Sequence, residues 1–395
     1  MKYNHSFSPA DILLPKSNFE NWAVIACDQY TSEPEYWEKV KTAAGDKPSA
    51  LNIVLPEVYL SADNSERIEK INKNMQEYLD SDIFTAYNDS LIFVERIQSD
   101  GKCRRGIVGK IDLESYDYHA GTTAEIRATE QTVLSRIPPR VEIRKNAPLE
   151  LPHVMLLFDD VKDQIFSYLV TNKDKFEKAY DFTLMCNAGS ITGYLLDEAA
   201  KETVLSMLED LKQQNDGFLF CVGDGNHSLA TAKECYNLNK TEASRYALTE
   251  IVNIHDTALQ FEPIYRVVFG INPEELLDEL VKTLGEGTQK FTCVYGDTAK
   301  EIGVNPTAKL AVGTLQAFLD EYVKNHPEAE IDYIHGEDSL KKLASRPNAI
   351  GFIFDGMQKS ELFEAVNADG SLPRKTFSMG HADDKRFYIE ARKIR

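Results

Sequence analysis

Between Gly217 and Tyr236 the chain reads GFLFCVGDGNHSLATAKECY, and within five residues it places Asp224, Asn226, His227 and Ser228 around Gly225, directly after Gly223. Phe218 to Val222 is an unbroken apolar run of the kind a buried strand has, and Leu229, Ala230 and Ala232 begin a helical pattern after the turn. A strand, a glycine turn and a helix start aim unpaired backbone N–H groups and the positive end of the helix at one point, which favours an anion. His227 and Ser228 could add donors there, and Asp224 could accept from a hydroxyl or hold a cation. The plainer alternative is a tight connection in which Asn226 caps the helix and Asp224 shapes the turn.

Three other stretches carry candidate chemistry. Asp28 follows the apolar run Trp22 to Cys27, and polar residues at the carboxyl end of a strand commonly line a crevice in α/β proteins; a cap or turn role is the alternative. Thr122 to Arg140, TTAEIRATEQTVLSRIPPR, holds Glu125, Arg127, Glu130, Arg136 and Arg140. Such a run usually makes a solvated helix face, but Pro138-Pro139 predicts an extended exit that fixes Arg140, and Glu130 between Arg127 and Arg136 could form a site wall. The terminal stretch LPRKTFSMGHADDKRFYIEARKIR is the most basic part of the chain. It reads as a solvated end, or as a segment folding back so that Lys375 meets a phosphate.

The elements that must position these groups alternate. Strands are expected at Trp22 to Cys27, Asn52 to Leu55, Val154 to Phe158 and Ile165 to Val170, and a hairpin at Ser90 to Ile97 and Arg105 to Asp112 around a Ser99 to Gly101 turn. Amphipathic spacing predicts helices near Glu33 to Ala44, Ser65 to Leu79 and Glu198 to Gln213. Pro263 opens a strand over Ile264 to Phe269 with Tyr265 and Arg266 on opposite faces. Helices follow at Pro273 to Leu284, Leu315 to Lys324 and Ser339 to Leu343, with strands at Gln289 to Tyr295, Lys309 to Val312, Ile331 to Ile334 and Ala349 to Phe354. The pattern gives a mixed α/β fold rather than an all-β sandwich.

Composition narrows the classes. The 395 residues exceed the usual size of one domain, and 43% hydrophobic with 27% charged is ordinary for a globular protein. A net charge of −19 disfavours non-specific nucleic-acid binding. No apolar run approaches the roughly 20 residues of a membrane span, and MKYNHSFSPADILLP lacks a leader's apolar core, so a cytoplasmic protein is expected. Six cysteines without CxxC spacing read as reduced thiols, not a disulfide frame or zinc site.

Taken in order, GDGNHSLATAK, ATEQT with the downstream Arg140, EPIYRVV and LPRKTF resemble the bacterial and archaeal domain of unknown function 1015 family over almost the full chain. That family's central loop is similar to the loop of the ParB and sulfiredoxin-like fold, which cradles nucleotide phosphates at a helix N-terminus and serves free serine kinases. The resemblance implies a ParB-like core at 161–270 enlarged by β-rich regions at 1–160 and 271–395, and places Gly223, Asp224, Gly225, Asn226, His227 and Ser228 on the phosphates of ATP or ADP with Mg2+ on Asp224. Asn226 and Ser228 stand where the family has histidine and arginine, so Arg266 or Lys375 is expected to supply the missing cation, beside Arg140. It further implies phosphoryl transfer to the hydroxyl of a small molecule such as free L-serine; that chemistry needs a carboxylate to orient the hydroxyl, for which Glu130, set between Arg127 and Arg136, is expected first and Asp28 second, with His227 also in the reacting group. A non-catalytic nucleotide switch and a phosphohydrolase are the competing readings.

Overall fold

In a computed structural model that describes residues 5–60 and 63–395, the hairpin expected around Ser99 to Gly101 forms, Ile92–Ile97 pairing antiparallel with Cys103–Asp112. It lies within a ten-stranded mixed sheet that runs, from edge to edge, through 177–183, 190–195, 92–97, 103–112, 246–253, 155–158, 220–224, 126–128 and 116–117, with 7–8 added beside 103–112. This sheet takes strands from both sides of residue 160. The first four residues of the N-terminal stretch lie outside the described residues.

Alternation decides which face each residue serves. Leu156 and Phe158 enter a core with Phe220, Val222, Leu229 and Ile251, under the helices Glu198–Gln214 and Asn226–Leu238. Met155 and Leu157 point the other way, into a second core with Cys221, Val252 and Val268. That second core belongs mainly to a six-stranded sheet ordered 298–304, 286–295, 349–353, 261–269, 330–335, with 377–379 beside 261–269. The mixed α/β architecture is as expected, and the two sheets share a packed boundary.

Several local expectations are corrected. Gln164–Asn172 is a helix, not a strand: the Asp160 carboxylate accepts from the Ile165 N–H at 3.0 Å, and Ile165, Phe166 and Leu169 then fall on one buried side. Pro138-Pro139 does not enforce an extended exit, because the two prolines occupy the first turn of the helix Ile137–Arg144, where their missing N–H groups need no acceptor. Lys309 to Val312 leads into the helix Ala311–Asn325, Asn52 to Leu55 falls on a 3-10 turn at Ala50–Ile53, and a short helix at Phe19–Trp22 precedes the strand Val24–Ile25.

The basic terminus is no solvated end. Phe387–Tyr388 pairs with Val24–Ile25, Arg392–Lys393 pairs with Leu149–Glu150, and Phe387 to Ala391 are buried in the N-terminal core. Two of its arginines are spent on buried acids: Arg386 donates to Glu250 at 2.9 Å and Glu390 at 2.7 Å, and Arg392 to Glu150 at 2.6 Å.

Candidate functional site

Strand register explains why particular residues surround the glycine turn. The strand Phe220–Asp224 runs antiparallel to Met155–Phe158, with Met155 opposite Asp224, and parallel to Ile126–Ala128, with Val222 opposite Ala128. His153, two residues before Met155, and Glu130, two residues after Ala128, therefore emerge on either side of the loop.

Gly225 makes the turn with φ +83°, a left-handed value that most side chains avoid, and a Cβ there would meet Val154 at 3.0 Å. Gly223 is required for packing instead, since its Cβ would lie 2.8 Å from Leu157. Asn226 is the first helical residue and not the cap, and no side chain caps the helix. Leu229 is the first residue whose N–H is bonded, to the Gly225 carbonyl at 3.0 Å; among the described residues the N–H groups of Asn226, His227 and Ser228 meet no protein acceptor. Asn226 Oδ1, Asp224 Oδ2 and Thr132 Oγ1 are buried there without hydrogen-bond partners. Buried polar atoms are rarely left so. A ring of unmet donors and acceptors around a helix start is what a polar ligand completes.

Charges converge on the same point. Asp28 Oδ2 lies 3.6 Å from His153 Nε2, which also meets Ser228 Oγ at 3.2 Å, while His153 Nδ1 is 2.9 Å from the Tyr388 hydroxyl. Burial pushes the Asp28 carboxyl up, but His153, Gln29 and Lys385 more than offset it and hold it well below the usual carboxylate range. Burial likewise pulls His153 down, yet Asp28, with Asp224 and Glu57 beyond, lifts it above its ordinary value. The two form an ion pair rather than a relay of the serine-protease kind, because acid and hydroxyl share one ring nitrogen. His227 behaves oppositely: burial, then Arg140 and Arg136, lower it to about 4. Its Nε2 accepts from the Val133 N–H at 3.3 Å, which leaves the proton of the neutral ring on Nδ1, a free donor. Lys385 Nζ stands 3.6 Å from Asp224 Oδ2, both side chains largely buried.

Asp28, Asp224, Asn226, His227 and Ser228 thus gather at the helix start. Arg140 joins them from the helix Ile137–Arg144, paired with Glu57. Glu130, Arg266 and Lys375 are brought to a neighbouring turn instead. Both Glu130 oxygens accept backbone N–H groups there, from Lys375 and Thr376, each at 3.1 Å. Burial raises the Glu130 carboxyl. Arg266 is fully buried and donates to Gln316 Oε1 at 2.7 Å and to the carbonyls of Ile264, Arg374 and Lys375. The Lys375 ammonium lies 5.1 Å above the Tyr333 ring. The sequence reading passed over His153, Lys385, Tyr388 and Glu57; the only signal was a histidine just ahead of a buried strand.

Beside the loop opens a cavity of about 160 Å3, bounded by the helices at 137–144 and 226–238 and by segments 53–60 and 147–154. Ser228 and His153 line both the cavity and the anion cradle. Among the described residues no three His, Cys, Asp or Glu side chains are grouped to hold a metal, and no helix is long and apolar enough to cross a membrane. The cysteines are free.

Residues 8–393 match the family model described as a protein of unknown function, DUF1015. No curated protein matches the chain. Similar solved structures include a free serine kinase in complex with AMP, with TM-score 0.42 and 13% identity over 72% of this chain and 91% of that one. A conserved hypothetical protein from Pyrococcus furiosus, TM-score 0.39 and 13% identity, covers 72% of this chain and 94% of its own. SbnI from Staphylococcus aureus, with a C-terminal truncation, gives 0.39 and 10% over 71% and 85%.

Proposed function

Because the chain belongs to the DUF1015 family of unknown function, its activity must be read from the site, and we propose nucleotide-dependent phosphoryl transfer to the hydroxyl of a small molecule. The observation that carries this is the cradle: unbonded N–H groups at Asn226, His227 and Ser228, with the Lys385 ammonium held beside them 3.6 Å from Asp224 Oδ2. Backbone N–H groups at a helix start suit a phosphate, whose charge they neutralise without reorganising.

The chain's own groups divide the work. The three N–H groups and the His227 Nδ1–H hold phosphate oxygens, and Lys385 supplies the positive charge absent from the loop. Asp28, kept ionised by His153, accepts the proton of the acceptor hydroxyl while its oxygen bonds to phosphorus and the donor's bridging P–O bond breaks. Ser228 orients that hydroxyl through His153. Asp224 Oδ2, once Lys385 turns from it to the phosphates, fits a Mg2+ that takes one or two carboxylates and otherwise phosphates and water, and such an ion would offset charge on the phosphates. Glu130, with both oxygens engaged, holds the 373–376 turn.

Thermal unfolding with ATP, ADP or CTP, followed by mass spectrometry of products formed with candidate alcohols, tests the proposal. At 100-fold excess over Kd a ligand stabilises by about 2.7 kcal/mol, which is about 3 °C for a chain of this length. No stabilisation by any nucleotide would remove the reading; stabilisation without product would make the protein a switch, and phosphate release without acceptor a hydrolase.

A further inference from the structure

The cavity beside the loop bears on which alcohol is phosphorylated, an inference that rests on the phosphoryl-transfer reading. Protein interiors are close-packed, and voids larger than a water molecule are few. Here about 160 Å3 stays open directly against the anion cradle. A cavity of about 150 Å3 lined by apolar side chains accommodates one benzene ring.

Its walls are mostly apolar, from Leu55, Leu60, Ile143, Leu149, Leu229 and Leu248. The charged groups on them are already committed to one another. Glu57 pairs with Arg140, and Glu150 takes Arg144, Arg392 and the Leu248 N–H. The loop end differs in carrying a hydroxyl contact that a guest hydroxyl can exchange with: Ser228 Oγ, 3.2 Å from His153 Nε2, borders the cavity where Cys27 leads into Asp28. A guest entering with an apolar body therefore has one polar end to satisfy, and that end meets the proton-accepting pair. A zwitterion would have to break an existing ion pair to be held.

We propose that the cavity receives the body of the acceptor and that the acceptor is a compact apolar alcohol, about the size of one six-membered ring, with its hydroxyl turned to Asp28, His153 and Ser228. The polar amino acid serine is then a poor acceptor. In transfer, the alcohol oxygen forms the new P–O bond, the nucleotide's bridging P–O bond breaks, and the hydroxyl proton passes to Asp28.

Titration calorimetry of the full chain with benzyl alcohol, cyclohexylmethanol, L-serine and ATP tests this. The ring alcohols are expected to bind at least tenfold more tightly than serine. Ala147→Leu, which fills the cavity away from the loop, is expected to weaken the ring alcohols at least tenfold while ATP affinity stays within twofold. Ile143→Ala enlarges the same space and is expected to shift preference toward two-ring alcohols, which keeps the test decisive if the filled variant does not fold. Serine binding as tightly as the ring alcohols, or cavity variants with unchanged alcohol preference, overturns the inference even where ATP binds. A chain that binds no nucleotide overturns the parent reading instead.

Discussion

Replacing Lys385 with methionine removes the one cation that, among the described residues, forms an ion pair with the loop acid, while keeping most of the side chain's volume. Its ammonium is 3.6 Å from Asp224 Oδ2, with side chains 13% and 15% exposed, so solvent screens the pair little. At an effective dielectric of about 20, Coulomb attraction at this distance has a ceiling of about 4.6 kcal/mol. What a phosphate gains from the same ammonium is smaller, because the lysine must leave Asp224 to reach it. A hydrogen bond to a charged group nets about 1.5–3 kcal/mol, which is about 10- to 150-fold in affinity. Calorimetry with ATP and ADP should therefore show Lys385→Met weaker by that factor, Lys385→Arg close to wild type, and a shallower salt dependence in the methionine variant. Unchanged affinity in Lys385→Met, with the fold intact by thermal unfolding, would refute the assignment and leave the cradle to its backbone donors alone.

Asp28→Asn should lower turnover by about 10²- to 10⁴-fold, as loss of a proton acceptor does, without weakening ATP. It should also let burial pull the His153 titration down, which imidazole proton shifts would report. The sign of the pH dependence follows from the same pair. The Asp28 contribution is present above its ordinary value near 4 and lost as pH falls, and that of His153 is full below about 6.5 and lost as pH rises through its raised value. Denaturant unfolding should thus show the wild type's advantage over Asp28→Asn largest between about pH 4 and 6.5, and an advantage independent of pH would defeat this account. Gly225→Ala forces a left-handed residue and should cost about 1–2 kcal/mol by the same assay. Arg266→Lys loses the fork that holds the carbonyls of Arg374 and Lys375, and should destabilise by on the order of 3 kcal/mol with ATP affinity unchanged; weakened ATP binding with full stability would bring Arg266 back to the phosphates.

The loop itself was legible because its information is local. An apolar run, a glycine at the turn and small residues after it determine strand, left-handed bend and helix within a few residues. The same locality failed for IFSYLV at 165–170, which suits either period; its fate was settled by the Asp160 carboxylate capping the segment's first N–H, a contact set by the preceding turn. His153 could not be seen as a site residue because its place depends on strand 155–158 running antiparallel to 220–224, a pairing across more than sixty residues of chain. Arg266 illustrates the converse. A cation on a strand next to a resembling motif looks available, but burial commits its donors to carbonyls of the turn that Glu130 also holds.

Lys385 comes from the last dozen residues of the chain, and the way it is held bears on how the site can work. Arg96 donates to the Asp383 carbonyl at 2.9 Å, the Ser99 N–H to Asp384 Oδ1 at 3.2 Å, and Arg386 to Glu250 and Glu390. Buried ion pairs contribute little net stability, since desolvation consumes most of the attraction, but removing either member leaves a stranded charge. Such a cluster is therefore better understood as fixing position than as strengthening the fold. With both neighbours of Lys385 pinned, its backbone cannot travel, and the ammonium can move from Asp224 to a bound phosphate only by rotating about its own side-chain bonds. Engagement of a ligand then requires no segment closure around Lys385, and hydrogen exchange over 383–390 should be equally slow with and without nucleotide.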